Sequence, residues 1–188
     1  ALLYAGARPG TVAHVAALDG FGVPDQPADQ APQKLTHWLD ALAAPEGFAP
    51  YRDMDAVIDR LQKNNRRLSR DKAAFIAEHW AERMADGSAR LRADPKHKLP
   101  FPTTYRMADM YAVWRAIAAP TLWVAGADSH IAKWLAAGGD PATEVARRFA
   151  HVEGARLVTI PDAGHMLHHD QPEAVARALE AFLAVPAA

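Results

Sequence analysis

The chain has 188 residues, a formal net charge of −1, 50% apolar residues and no cysteine, the composition of a globular domain rather than a disordered or disulfide-stapled one. Without cysteine there is no disulfide, no thiolate metal site and no cysteine nucleophile. A near-neutral balance gives no footprint for nucleic acid or acidic membranes, and no apolar run approaches the ~20 residues of a bilayer span. These totals predict a cytoplasmic protein that binds neither nucleic acid nor membrane.

In chain order, Ala1 to Ala7 reads as the interior of a helix stopped by Arg8, Pro9 and Gly10. Its first turn and cap are expected upstream. Val12 to Leu18 is a short apolar run, expected as a buried strand, and Asp19 to Gly22 is a tight exit loop. Residues Val23 to Pro32 form a polar connector. Three helices follow. Leu35, Trp38, Leu39 and Leu42 lie at i, i+3, i+4 and i+7, one amphipathic stripe. Met54, Val57, Ile58 and Leu61 repeat the pattern behind a possible cap at Asp53. Phe75, Ile76, His79, Trp80 and Met84 form the third, opened by Ser69 and closed near Gly87. Ser88 to Tyr105, broken by Pro95, Pro100 and Pro102, is expected to be irregular or a short edge ribbon. A fourth helix, Met107 to Ala118, ends before Pro120.

The last third alternates. Thr121 to Ala125 and Arg156 to Ile160 read as strands, and Ala142 to His151 and Pro172 to Leu183 as helices. Alternation of this kind predicts parallel βαβ units. His165 follows the last strand across Pro161, Asp162, Ala163 and Gly164. It therefore sits at the carboxyl end of a strand, where open α/β sheets bind ligands. An imidazole there can act as a general base. His165, His168 and His169 fall at i, i+3 and i+4, a spacing that could hold a metal on a helix, but the strand exit argues for a loop and no H-E-x-x-H pattern is present. No metal or other cofactor is expected.

The run Pro161-Asp-Ala-Gly-His165-Met-Leu-His-His-Asp-Gln-Pro172-Glu173 resembles the segment that bears the catalytic histidine of α/β-hydrolases. Pro120-Thr-Leu-Trp-Val-Ala-Gly126 is similar to the penultimate strand of that family. Leu2-Leu-Tyr-Ala-Gly-Ala-Arg-Pro-Gly10 looks like the end of the helix after its nucleophile elbow. The resemblance implies the C-terminal part of an α/β-hydrolase sheet, formed by residues 1–22 and 107–188, with a helical cap from 23 to 106. It also implies a hydrolase of ester-like bonds that uses a nucleophile–histidine–acid triad, with His165 as base.

No G-x-S-x-G elbow occurs; Ser69, Ser88 and Ser129 lack its context. The nucleophile is therefore expected upstream of Ala1, and the chain alone is expected to be inactive. The expected partners are that missing hydrolase segment and a small-molecule substrate. The family places its acid three residues after the Gly of the penultimate strand, where Ser129 stands with Asp128 one residue early. Some relatives, among them certain haloalkane dehalogenases, carry the acid after the earlier strand, the place of Asp19. Asp19 and Asp128 thus remain equal choices. Phe21, Trp38 and Trp80 are the residues singled out for substrate contact, against a core role for most aromatic residues. An aspartate nucleophile, as in epoxide hydrolases or haloalkane dehalogenases, and a non-catalytic interaction module of the same fold are the alternatives.

Overall fold

The computed structural model describes residues 1–184. Its elements in chain order begin with α1 (Leu2–Ala7), β1 (Val15–Leu18), α2 (Ala31–Ala43), α3 (Met54–Asn64) and α4 (Arg70–Trp80). A short hairpin of β2 (Ala81–Arg83) and β3 (Ala89–Leu91) precedes α5 (Met107–Arg115), β4 (Thr121–Gly126) and α6 (Ile131–Ala136). Then come α7 (Pro141–Phe149), β5 (Arg156–Ile160), α8 (Leu167–Asp170) and α9 (Pro172–Leu183). The chain divides into two compact units, Ala1–Gln26 with Tyr105–Ala188, and Pro27–Thr104.

The first unit is built on a parallel sheet in the order β1-β4-β5. Thr121, Leu122, Trp123 and Val124 of the middle strand are all buried. A strand covered on both faces needs such an unbroken apolar run instead of an alternating one. Trp123 lies between Phe21, Trp114 and Phe149, with ring centroids at 5.7, 5.9 and 5.4 Å. On the other face, Leu122 and Val124 pack with Ile160, Leu167, Val175 and Phe182. Helices α1 and α5 touch so closely that a Cβ on Gly6 would lie 2.0 Å from the Val113 carbonyl oxygen, so only glycine fits there.

A buried arginine fixes the segment that leaves β1. Arg148 on α7 donates to the carbonyls of Phe21 at 2.9 Å and Val23 at 3.0 Å, and to Glu144 at 2.6 Å. A guanidinium out of water needs such a set of acceptors, because its donors are costly when unpaired. Further along, Gln26 N–H donates to the Tyr105 carbonyl at 3.0 Å, and Tyr105 N–H to the Gln26 side chain at 2.9 Å.

The second unit is a small helical body with the β2–β3 hairpin. Asp53 caps α3 by accepting from Ala56 N–H at 2.8 Å, and Ser69 caps α4 by accepting from Lys72 N–H. Its core gathers Met54, Val57, Leu61, Leu68, Ala73 and Ala77, with Trp80 packed against them. Two expectations differ here. Helix α4 buries Ala73 and Ala77 and packs Ile76 and Trp80 against the same core, while Phe75 is 65% exposed, so small side chains and only part of the predicted stripe set the contact with α3. The helix also ends at Trp80 instead of running to Gly87, because Ala81–Arg83 pairs with Ala89–Leu91. The Asp86-Gly87 pair turns the hairpin, with Gly87 at φ 87° and Met84 N–H bonded to the Ser88 carbonyl. Helix α2 forms as the periodicity predicts, but Leu35, Leu39 and Leu42 stay exposed.

Burial pushes the Glu144 carboxyl up, but hydrogen bonds from Arg148 and Arg147 outweigh it and hold it below its ordinary value of 4.5. The folded state therefore binds its proton less readily than the unfolded chain. The stability this contributes is present above about pH 4.5 and disappears as pH falls through the lower folded value. Acid titration of the folded protein and of Glu144→Gln checks it: the variant is less stable at neutral pH, and the gap between the two narrows as pH drops below that point.

Candidate active site

Parallel pairing aligns the carboxyl ends of β1, β4 and β5, with Leu18 opposite Val124 and Gly126 opposite Ile160. Each strand hands its chain to a short loop at that edge, and three side chains converge there.

Asp19 is the first residue past β1. Its N–H donates to the Val124 carbonyl at 2.7 Å and its backbone turns left-handed, at φ 51°. Aspartate tolerates that region better than most residues, and outliers of this kind cluster at functional sites. The turn leaves the side chain of Asp19 2% exposed, facing His165, whose own side chain is 44% exposed. His165 Nδ1 lies 2.8 Å from Asp19 Oδ2. A carboxylate only accepts, so Nδ1 carries a proton, which in the neutral ring leaves the Nε2 lone pair free.

The loop bearing His165 is held from both sides. Asp170 accepts from Gly164 N–H at 2.8 Å, and the chain leaving β4 reaches across through Ala127 N–H to the Ile160 carbonyl and Asp128 N–H to the Ala163 carbonyl, both at 2.9 Å. This crossing is tight. A Cβ on Gly126 would stand 2.4 Å from the carbonyl oxygens of both Ala163 and Gly164. Glycine is required there by backbone approach.

Of the residues singled out from sequence, His165 and Asp19 are in contact. Asp128 is exposed, tied in through its backbone, and the ion pair of His165 is with Asp19. Phe21 is buried against Trp123 and also lines, with Asp19, Ser129, Val145, Phe149 and Leu157, a cavity of about 510 Å³. Trp38 and Trp80 belong to the second unit and are half-buried within it. His168 and His169 occupy α8, a single helical turn, where burial lowers the affinity of both rings for protons. Among the described residues no three histidine, cysteine or acidic side chains are placed to hold a metal ion.

Two contributors escaped the sequence reading. Ser129 donates its hydroxyl to Asp19 Oδ2 at 2.5 Å, and the His130 ring lies 5.8 Å from that of His165. Ser129 occupies the place after Gly126 where the resemblance put the acid, and that is the signal that could have found it.

The fold is shared with known proteins. A model of the alpha/beta hydrolase family matches residues 1–178. Among solved structures, a hypothetical protein, PA1622, from Pseudomonas aeruginosa PAO1 is 26% identical over 98% of this chain and 63% of its own, with a TM-score of 0.77. The thioesterase domain from the curacin biosynthetic pathway is 19% identical over 96% of this chain and 60% of its own, with a TM-score of 0.72. The esterase Rv0045c from Mycobacterium tuberculosis is 17% identical over 98% and 56%, with a TM-score of 0.64. The chain thus spans roughly three fifths of the length of these structures. No curated protein matches it. Among the described residues, no helix is long and apolar enough to cross a membrane.

Gly126→Ala forces backbone oxygens away from the new methyl group and displaces the histidine loop. We expect a loss of about 1–3 kcal/mol, the usual cost of overpacking, in urea unfolding. The Nδ1–H proton resonance of His165 should disappear with it.

Proposed function

We propose that this chain, which belongs to the alpha/beta hydrolase family, supplies the histidine and the acid of a triad that cleaves ester-like bonds. The contact of His165 Nδ1 with the buried Asp19 carboxylate carries the reading. In this scheme Asp19, not Asp128, is the triad acid. It holds the imidazole in the tautomer whose Nε2 faces outward and stabilises the cation that forms when Nε2 takes a proton. A serine on an elbow from a hydrolase segment outside these residues attacks the carbonyl carbon and yields its proton to Nε2. His165 then returns that proton to the leaving alcohol. Water, deprotonated by the same imidazole, clears the acyl-enzyme.

The esterase and thioesterase among the structural neighbours support an ester-like substrate. The unit Pro27–Thr104, inserted between β1 and α5, is proposed as the cap that selects it, with Phe21, Trp38 and Trp80 as the first aromatic residues to vary. The position of Asp19 after the earlier strand favours one second reading. There, an aspartate nucleophile attacks, and His165 activates the water that releases the covalent intermediate.

Fluorophosphonate labelling of the intact protein tests the scheme. Labelling should vanish in His165→Ala. Asp19→Asn should reduce ester hydrolysis by roughly 10⁴-fold, the cost of the wrong tautomer, and at least tenfold more than Asp128→Asn. A larger loss from Asp128→Asn would rule out Asp19 as the acid. Hydrolysis without any labelling would select the aspartate nucleophile.

A further inference from the structure

Ser129 has a geometry that the triad scheme does not use. Its Oγ donates to Asp19 Oδ2 at 2.5 Å, the same oxygen that His165 Nδ1 meets at 2.8 Å. One of the two lone pairs of that hydroxyl is engaged as well, because Ile131 N–H donates to Ser129 Oγ at 3.1 Å. A hydroxyl has one proton to give. Because a carboxylate oxygen can only accept and the Ile131 N–H can only donate, the hydroxyl proton of Ser129 is the one that goes to Asp19 Oδ2.

Asp19 hangs from β1, while Ser129 stands on the loop after β4. The acid is therefore gripped twice by the neighbouring strand: its backbone N–H bonds to the Val124 carbonyl, and its carboxylate oxygen accepts from Ser129. A left-handed residue at a strand end has a side-chain direction that its own strand does not fix. The second grip supplies that constraint.

We propose that Ser129 is a positioning residue for the triad: its hydroxyl locks the Asp19 carboxylate in the orientation that receives His165 Nδ1–H. The catalytic part of this statement rests on the hydrolase reading above; the structural part does not. The competing explanation is that Ser129 merely caps the start of α6 through Ile131 N–H.

The test uses the intact protein and two readouts. In the resting protein, the downfield Nδ1–H proton resonance of His165 is compared among wild type, Ser129→Ala and Ser129→Thr. Alanine should broaden or abolish the signal, as the released carboxylate turns away and the imidazole proton exchanges with water. Threonine, which keeps the hydroxyl, should retain it. In ester hydrolysis, alanine should lower kcat about tenfold with KM little changed, consistent with loss of one hydrogen bond to a charged group, and threonine should restore it. If Ser129→Ala does not fold, Ser129→Cys replaces it, since a thiol is a weak donor and should weaken the signal in the same direction. A resonance of unchanged position and width in a folded Ser129→Ala protein overturns the proposal. Because that resonance is read without turnover, failure of the hydrolase reading would appear only in the second readout.

Discussion

Parallel hydrogen bonding between β1, β4 and β5 is the constraint from which the site follows. It puts the carboxyl ends of all three strands on one edge, so that residues 146 positions apart, Asp19 and His165, come within 2.8 Å. Antiparallel pairing would instead send the end of β4, with Gly126 and Ser129, to the opposite edge. The register matters as much as the direction. A slip of one residue in β4 would exchange its two buried faces, moving Trp123 off its aromatic neighbours and Leu122 and Val124 off α9. Burial of both faces thus fixes where Gly126 ends and where the loops begin.

Desolvated polar groups then refine what the strands place coarsely. Arg148 anchors the chain just beyond Asp19, and its own guanidinium is tolerable in the core because Glu144 and two carbonyls accept from it. Asp19 is buried in turn, with His165 and Ser129 on one oxygen. Both are cases in which a buried polar side chain is kept by partners at hydrogen-bond distance. The residues that arrange the site are therefore spread over β1, α7 and the loops after β4 and β5. The solvent side of His165 stays open, as its proposed role as a base requires.

Much of this was legible in the sequence, and the reason lies in particular residues. The run Thr121 to Ala125 is apolar because both faces of its strand are covered, and Pro161-Asp-Ala-Gly164 announces the turn before His165. The caps at Asp53 and Ser69 also read correctly, since a cap is a local matter of side-chain oxygens and backbone N–H groups. What failed was non-local or rested on small side chains. Helix α4 packs through Ala73 and Ala77, which carry little weight in a hydrophobic stripe, and its hairpin hid behind Asp86-Gly87. Helix α6 was missed altogether, being only six residues long. Asp19 and Asp128 could not be ranked because the choice depends on a left-handed turn at one of them and on the strand register, neither of which a linear string displays. Ser129 was passed over because it was searched for as a nucleophile and not as a donor.

The paired hydrogen bonds between Gln26 and Tyr105 reach beyond their own two residues. They close a chain-entry and a chain-exit point into a clasp, so that everything from Pro27 to Thr104 begins and ends at one gate in the backbone of the first unit. Closing a loop costs entropy that rises only with the logarithm of its length, about 0.6 kcal/mol per doubling. Insertion or deletion within the inserted unit therefore changes little of what the sheet must overcome to fold. The sheet edge that carries Asp19 and His165 and the segment proposed to choose the substrate can therefore diversify at different rates.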